Sequence, residues 1–172
     1  MKLDDATAAD LSELHALIER GYRGEPARAG WSNEADLLSG PRTDVAELEE
    51  LRSDPRQHLL LWRDEGRIVS CVLLAQKGEG LCYLGMLTVE PGMQAKGLGK
   101  RMLAAAEELA RDRLGGRTME MQVFPQRSEL IAFYERRGYR PTGERRPFPY
   151  AEALDAGALR DDLDFIVLEK PL

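Results

Sequence analysis

Near the middle of the chain, Gln94-Ala95-Lys96-Gly97-Leu98-Gly99 has the residue types and spacing to hold an anion. Gly97 and Gly99 carry no Cβ, so a ligand can approach the main chain closely there. Lys96, Lys100 and Arg101 add positive charge. An apolar run over 84–89 reads as a strand and stops before Pro91, which cannot donate a ladder hydrogen bond. Beyond Gly97, Leu98, Met102, Ala105, Ala106 and Leu109 recur at helical spacing. The first N–H groups of such a helix lack internal partners, and its dipole adds partial positive charge at the same end. A strand, a glycine turn and a helix in that order suit a phosphate.

Two common phosphate motifs are excluded. A P-loop would need a glycine where Gln94 stands and a hydroxyl residue where Arg101 follows Lys100. The dinucleotide fingerprint would need a third glycine at Met102. A second block, Phe133-Tyr134-Glu135-Arg136-Arg137-Gly138-Tyr139, places a phenol inside a short helical pattern with Leu130, Phe133 and Arg137 in register. Phe133 and Tyr134 lie about 100° apart around a helix axis, which predicts one in the core and the other toward an edge or cleft. Ser128 is the expected cap and Gly138 the stop.

With Val89-x-Pro91 before it and a helix after it, Gln94-x-x-Gly97-x-Gly99 resembles the coenzyme A loop of the GNAT superfamily of N-acetyltransferases. Phe133-Tyr134-x-x-x-Gly138-Tyr139 is similar to the family's second signature. The resemblance implies transfer of an acetyl group from acetyl-coenzyme A directly to an amine, with no metal. It places pyrophosphate on the amides of Gln94, Ala95, Lys96, Gly97, Leu98, Gly99 and Lys100. The pantetheine arm would lie along the main chain of Leu87, Thr88 and Val89, and Tyr134 would protonate the departing thiolate. Arg127 stands where many members carry an asparagine beside pantetheine, so the resemblance implies either a contact with the cofactor, at one of its phosphates, or a looser site. The implied fold is α/β (α+β): a mixed, mainly antiparallel sheet of about seven strands, with helices on both faces and a splayed central strand pair.

The flanking sequence supplies elements that could position these groups. Residues 1–5 read as a short strand, and Thr7 with Asp10 as a helix start. Leu11, Leu14, Leu17 and Ile18 then form an apolar stripe that leaves His15 at the surface. A glycine-punctuated loop over 21–40 carries Trp31, Glu34 and Asp36. Thr43 is expected to cap a second helix, with Val45, Leu48 and Leu51 inward. Runs at 59–62, 68–74 and 81–89, joined by glycine turns, predict an antiparallel meander. The helix after Gly97 should end near Gly115-Gly116. The strand over 119–124 should then lie parallel to the one ending at Val89, and the resemblance implies that the two splay apart. Residues 141–162 look like a long loop with a short helix near 150–158, and 165–168 like a closing strand.

Composition bounds the rest. The 172 residues suit one domain spanning 1–172, with 43% apolar and 31% charged residues. No apolar run approaches membrane-span length, and Met1–Asp5 lacks the features of a signal peptide, so a cytoplasmic protein is expected. Cys71 and Cys82 fall in apolar runs and read as buried free thiols. A net charge of −6 argues against nucleic acid and, with Trp31, Glu34 and Asp36 in one loop, favours a small cationic amine as acceptor. Asp161 and Asp162 are expected on the same side. An amine with pKa ~10 is only about one part in a thousand neutral at pH 7, so a base or a water chain is required. Glu34, Glu90 and Glu120 are the candidates, and Glu34 is preferred. A homodimer is left open. The alternatives are a catalytically silent acyl-coenzyme A-binding regulator, which an intact Tyr134 disfavours, and an interaction module without cofactor.

Overall fold

The computed structural model describes residues 2–28, 30, 32–151 and 157–172; of Ala95 only the main chain is described. A two-residue strand, β1 (Asp4–Asp5), leads into a 3-10 turn at Ala8–Asp10. There Thr7 and Asp10 form a reciprocal capping box. Helix α1 (Leu11–Tyr22) follows, and α2 (Gly24–Arg28) occupies part of the segment expected to be loop. In α1 the stripe of Leu11, Leu14, Leu17 and Ile18 is buried. Burying each of those leucine or isoleucine side chains contributes roughly 1.5–3 kcal/mol. His15 is half-buried rather than fully at the surface, with Nε2 3.1 Å from the Thr43 carbonyl.

Helix α3 (Val45–Ser53) is capped by Asp44, whose carboxylate accepts from the Glu47 amide at 2.8 Å. Thr43, the expected cap, instead donates its hydroxyl to the Glu47 carboxylate. Asp serves as well as Thr at this position, so composition alone could not separate neighbours. Val45 is 42% exposed, not inward, because only Leu48 of this helix reaches the core fully.

The meander is β2 (Gln57–Asp64), β3 (Arg67–Gly78) and β4 (Leu81–Val89). A 3-10 turn over Pro91–Lys96 then leads into α4 (Leu98–Leu114), and β5 is Thr118–Val123. The chain closes with α5 (Ser128–Glu135), β6 (Arg140–Pro147) and β7 (Asp164–Pro171). The seven strands form one sheet in the order β1-β2-β3-β4-β5-β7-β6. Only β4 and β5 run parallel; the other neighbouring pairs are antiparallel. One core cluster joins the sheet to α4 and α5 through residues such as Met102, Ala106, Met121 and Phe133. Another, on α1 and α3, includes Leu14, Leu17, Leu48 and Met86. Cys71 and Cys82 are free and buried, as expected.

The sheet divides at its centre. Strands β4 and β5 pair only through Leu81–Tyr83 and Thr118–Glu120, so beyond Tyr83 that edge of β4 has no strand neighbour. A bulge adds to the divergence. Between the β3–β4 pairs Leu73↔Gly85 and Cys71↔Thr88 there is one residue on β3 and two on β4, Met86 and Leu87. Met86 adopts φ +51°, a left-handed conformation that costs a non-glycine residue about 1–3 kcal/mol. Polar side chains hold it there: the Thr88 hydroxyl donates to the Met86 carbonyl at 3.0 Å, and the Ser70 hydroxyl donates to the Thr88 carbonyl at 2.7 Å.

Three expectations in the second half are corrected. No side chain caps α5; the helix begins at Ser128, with Arg127 preceding it. Phe133 and Tyr134 both lie in the α4/α5 core cluster, 5.3 Å apart edge to face. An apolar stripe 100° wide admits neighbouring residues, so the two need not divide between core and edge. The supposed long loop opens as the edge strand β6, exposed along nearly its whole length. Its prolines and arginines give no apolar alternation, and an edge strand tolerates both. Residues 152–156, where a short helix was expected, lie outside the described residues; Ala158 bridges Leu38.

Candidate active site

The divergence of β4 and β5 opens a cavity of about 380 Å³. At one end it is lined by Gly97, Gly99 and Lys100 of the turn and the start of α4. Gly97, at φ +71°, sits in the N-cap position, and no side chain caps the helix. The amides of the first turn therefore have no capping side chain, as an incoming anion would require. A Cβ on Gly99 would meet Val89 and Phe133 only at 3.7 and 3.8 Å, so the space above it is not filled by the fold. Gln94 also lines the cavity, with its amide 3.4 Å from the Val89 carbonyl. Lys96 is exposed and does not face the cavity.

The cavity then follows the unpaired edge of β4, where Leu87, Thr88 and Val89 line it opposite Met121–Val123 of β5. The Tyr22 hydroxyl donates to the Leu87 carbonyl at 3.3 Å. Tyr134 reaches the middle of the cleft, its ring held edge to face by Phe133 at 5.3 Å and Tyr139 at 5.7 Å. Gly138, at φ +95°, turns the chain so that Tyr139 comes under Tyr134, which is what that glycine does in the second motif. Tyr139 is fully buried, and its hydroxyl donates to Glu107 at 2.9 Å. The Tyr134 hydroxyl makes no hydrogen bond among the described residues. Burial, with the nearby Tyr22 phenol as a lesser cause, raises its pKa well above the ordinary 10, so it keeps its proton at neutral pH.

Past Tyr134 the lining becomes charged. Glu34 is buried, and its carboxylate is shared by Arg23 at 2.8 Å and Arg127 at 2.9 Å. Burial opposes its ionisation, but Arg127, Arg42 and Arg23 together outweigh that and hold its pKa below the ordinary 4.5. A carboxylate so held is a weak proton acceptor. The other two candidates are ion-paired as well: Glu90 with Arg20 at 2.8 Å and Glu120 with Arg146 at 2.7 Å. Neither lines the cavity.

Arg127 does line the cleft, but its guanidinium is turned to Glu34 and to the Ser32 hydroxyl, which it meets at 2.9 Å. It ties the start of α5 to the 32–34 segment. Asp36 is exposed, bonded to Arg28 and away from the cavity. Asp162 pairs with Arg160 at the surface. Trp31 lies outside the described residues. Of the acidic residues expected at the acceptor, Glu34 alone among the described residues lines the cleft, and it is paired with Arg23 and Arg127. Tyr22 and Arg42 line the cleft without having been singled out from sequence. Neither sits in a recognisable motif, and the fold alone brings them together.

A parallel pair split open beside an uncapped, glycine-headed helix, with a protonated phenol between, defines an acyltransferase-type cleft. The acetyltransferase (GNAT) family model matches residues 26–139, and the chain belongs to that family of acyltransferases. No curated protein sequence matches the chain. Among solved structures, ribosomal-protein-S18-alanine N-acetyltransferase from Escherichia coli superposes with TM-score 0.71 at 17% identity, covering 99% of this chain and 92% of that one. Ribosomal-protein-alanine N-acetyltransferase from Brucella melitensis gives 0.72 at 19%, covering both chains fully. A GNAT acetyltransferase from Elizabethkingia anophelis with acetyl-CoA bound gives 0.65 at 16%, covering 80% of this chain and 89% of that one. At such identities the likeness is one of fold.

Proposed function

We propose that the protein transfers the acetyl group of acetyl-coenzyme A to a primary amine. The observation that carries this reading is the continuity of one cavity from the uncapped start of α4, along the unpaired edge of β4, to the Tyr134 hydroxyl. The cosubstrate supplies an activated thioester whose carbonyl carbon the amine nitrogen attacks, forming C–N and breaking C–S. The main-chain amides after Gly97, with Lys100, bind its phosphates, and the β4 edge at Leu87–Val89 receives the pantetheine arm as a missing strand would be received. Tyr134 donates its proton to the departing sulfur. The Phe133 and Tyr139 rings fix the direction of that donation.

The proton lost by the amine leaves through water, because each of the three carboxylates considered for the role is held by arginine. The test is a screen of amines with acetyl-coenzyme A, following thiol release and N-acetyl product by mass spectrometry. Stoichiometric thiol and acetylamine from at least one amine is the expected result. Stabilisation of the fold by acetyl-coenzyme A with no transfer to any amine would favour a silent binding domain instead.

A further inference from the structure

We propose that the acceptor amine also carries a carboxylate, and that Arg42 is the residue that receives it. The proposal rests on the acetyl-transfer reading above and adds the acceptor's chemical class. At the Glu34 end Arg42 and Arg127 line the cleft, and Arg23, outside the lining, also holds the Glu34 carboxylate. Two of them are committed. Arg23 donates to the Gly40 carbonyl at 2.9 Å and to Glu34, and Arg127 to Glu34 and Ser32. Arg42 differs: among the described residues its side chain has no ion pair or hydrogen bond. It lies over the Tyr22 ring, 5.3 Å from its centre, and faces the cavity.

An arginine in this position cannot shed its charge, and it is half-buried with no anionic partner among the described residues. Its planar fork matches a carboxylate with two parallel hydrogen bonds. With Glu34 neutralised by one of its two partners, the remaining guanidiniums leave the acceptor end net positive. A polyamine would meet repulsion there, whereas an amino acid brings the amine for the thioester and an anion for Arg42. Arg42 is separate from the phosphate end of the cleft. It stacks on Tyr22, whose hydroxyl meets the Leu87 carbonyl, whereas Gly97 and Lys100 lie past the end of β4 at the start of α4.

The experiment measures kcat/KM for α-amino acids, their decarboxylated amines, their aminophosphonate analogues and spermidine, in wild type, Arg42→Gln and Arg42→Lys. Calorimetry with acetyl-coenzyme A runs alongside. Wild type should prefer the amino acid over its decarboxylated amine at least tenfold. Arg42→Gln should reduce that ratio by tenfold or more, through KM for the acceptor, with acetyl-coenzyme A affinity retained. Arg42→Lys should recover part of the ratio, because it restores the charge without the fork. Equal or better use of spermidine or the decarboxylated amines would overturn the proposal while acetyl transfer stands. So would an unchanged ratio in Arg42→Gln, and preference for the aminophosphonate would overturn the carboxylate assignment. Binding of acetyl-coenzyme A with no turnover of any amine would overturn the transfer reading, and this proposal with it.

Discussion

At the scale of single residues, the cleft works by holding ionisable groups away from their usual states. Glu34 is the clearest case, since two guanidiniums share its buried carboxylate. Removing one member of such a buried group strands the others, at a cost of about 3–5 kcal/mol. Glu34→Gln should therefore lower the unfolding free energy markedly in denaturant titration, an effect too large for a surface residue. Its pH dependence has a definite sign. The folded-state pKa lies below the ordinary 4.5, so Glu34 contributes fully above about pH 4.5, and that contribution fades as pH falls through the folded value. Thermal melts should thus fall more steeply with acid below pH 4.5 in wild type than in Glu34→Gln. Parallel acid limbs would mean that Glu34 is not an ion pair in the fold. In the proposed reaction Tyr139 acts only through Tyr134, whose ring it supports. Tyr139→Leu should reduce kcat and lose stability together, because it also removes the hydroxyl that Glu107 accepts.

At the scale of elements, the start of α4 and the split beside β4 are where the sequence was most readable. The glycines, Pro91 and the change of period around them each have a local physical meaning, and the strand, turn and helix fall where those meanings put them. The bulge at Met86 was not legible. It arises from pairing with β3 and from hydroxyls at Ser70 and Thr88, contacts distant in sequence. The cap of α3 and the strand β6 escaped for similar reasons: neighbouring Thr43 and Asp44 are equivalent on composition, and an edge strand needs no apolar alternation. A single variant separates the helix-start account from a merely structural turn. Gly99→Asp puts a carboxylate in the first turn of α4, where the dipole favours it by about 0.3–1 kcal/mol. The space above Gly99 is not filled by the fold, so the protein should melt at the same temperature or higher. Affinity for acetyl-coenzyme A should nevertheless fall at least tenfold, because the added charge opposes the phosphates. Unimpaired binding would remove the α4 start from the cofactor site.

At the scale of the whole molecule, the net charge of −6 does not describe the lining of the cleft. Acidic residues dominate the overall count, yet arginines gather at the inner end of the cleft. Which of the two signs faces a ligand is decided by the return of the 32–42 segment against β4 and α5, a matter of tertiary packing that composition does not carry. No described helix is long and apolar enough to cross a membrane. What the fold supplies is a split sheet that joins two chemically different ends, amides and Lys100 at one and guanidiniums at the other, with the Tyr134 phenol in the same cleft.

That phenol provides the most direct test of the account. In Tyr134→Phe the ring and its two aromatic contacts are kept and only the hydroxyl is lost. Steady-state acetyl transfer to the best amine should show kcat reduced ~10²–10⁴-fold, the range for general acid–base catalysis. Calorimetric affinity for acetyl-coenzyme A should stay within a factor of two to three of wild type. Full turnover in Tyr134→Phe would contradict the account, and the proton reaching the departing sulfur would have to come from elsewhere.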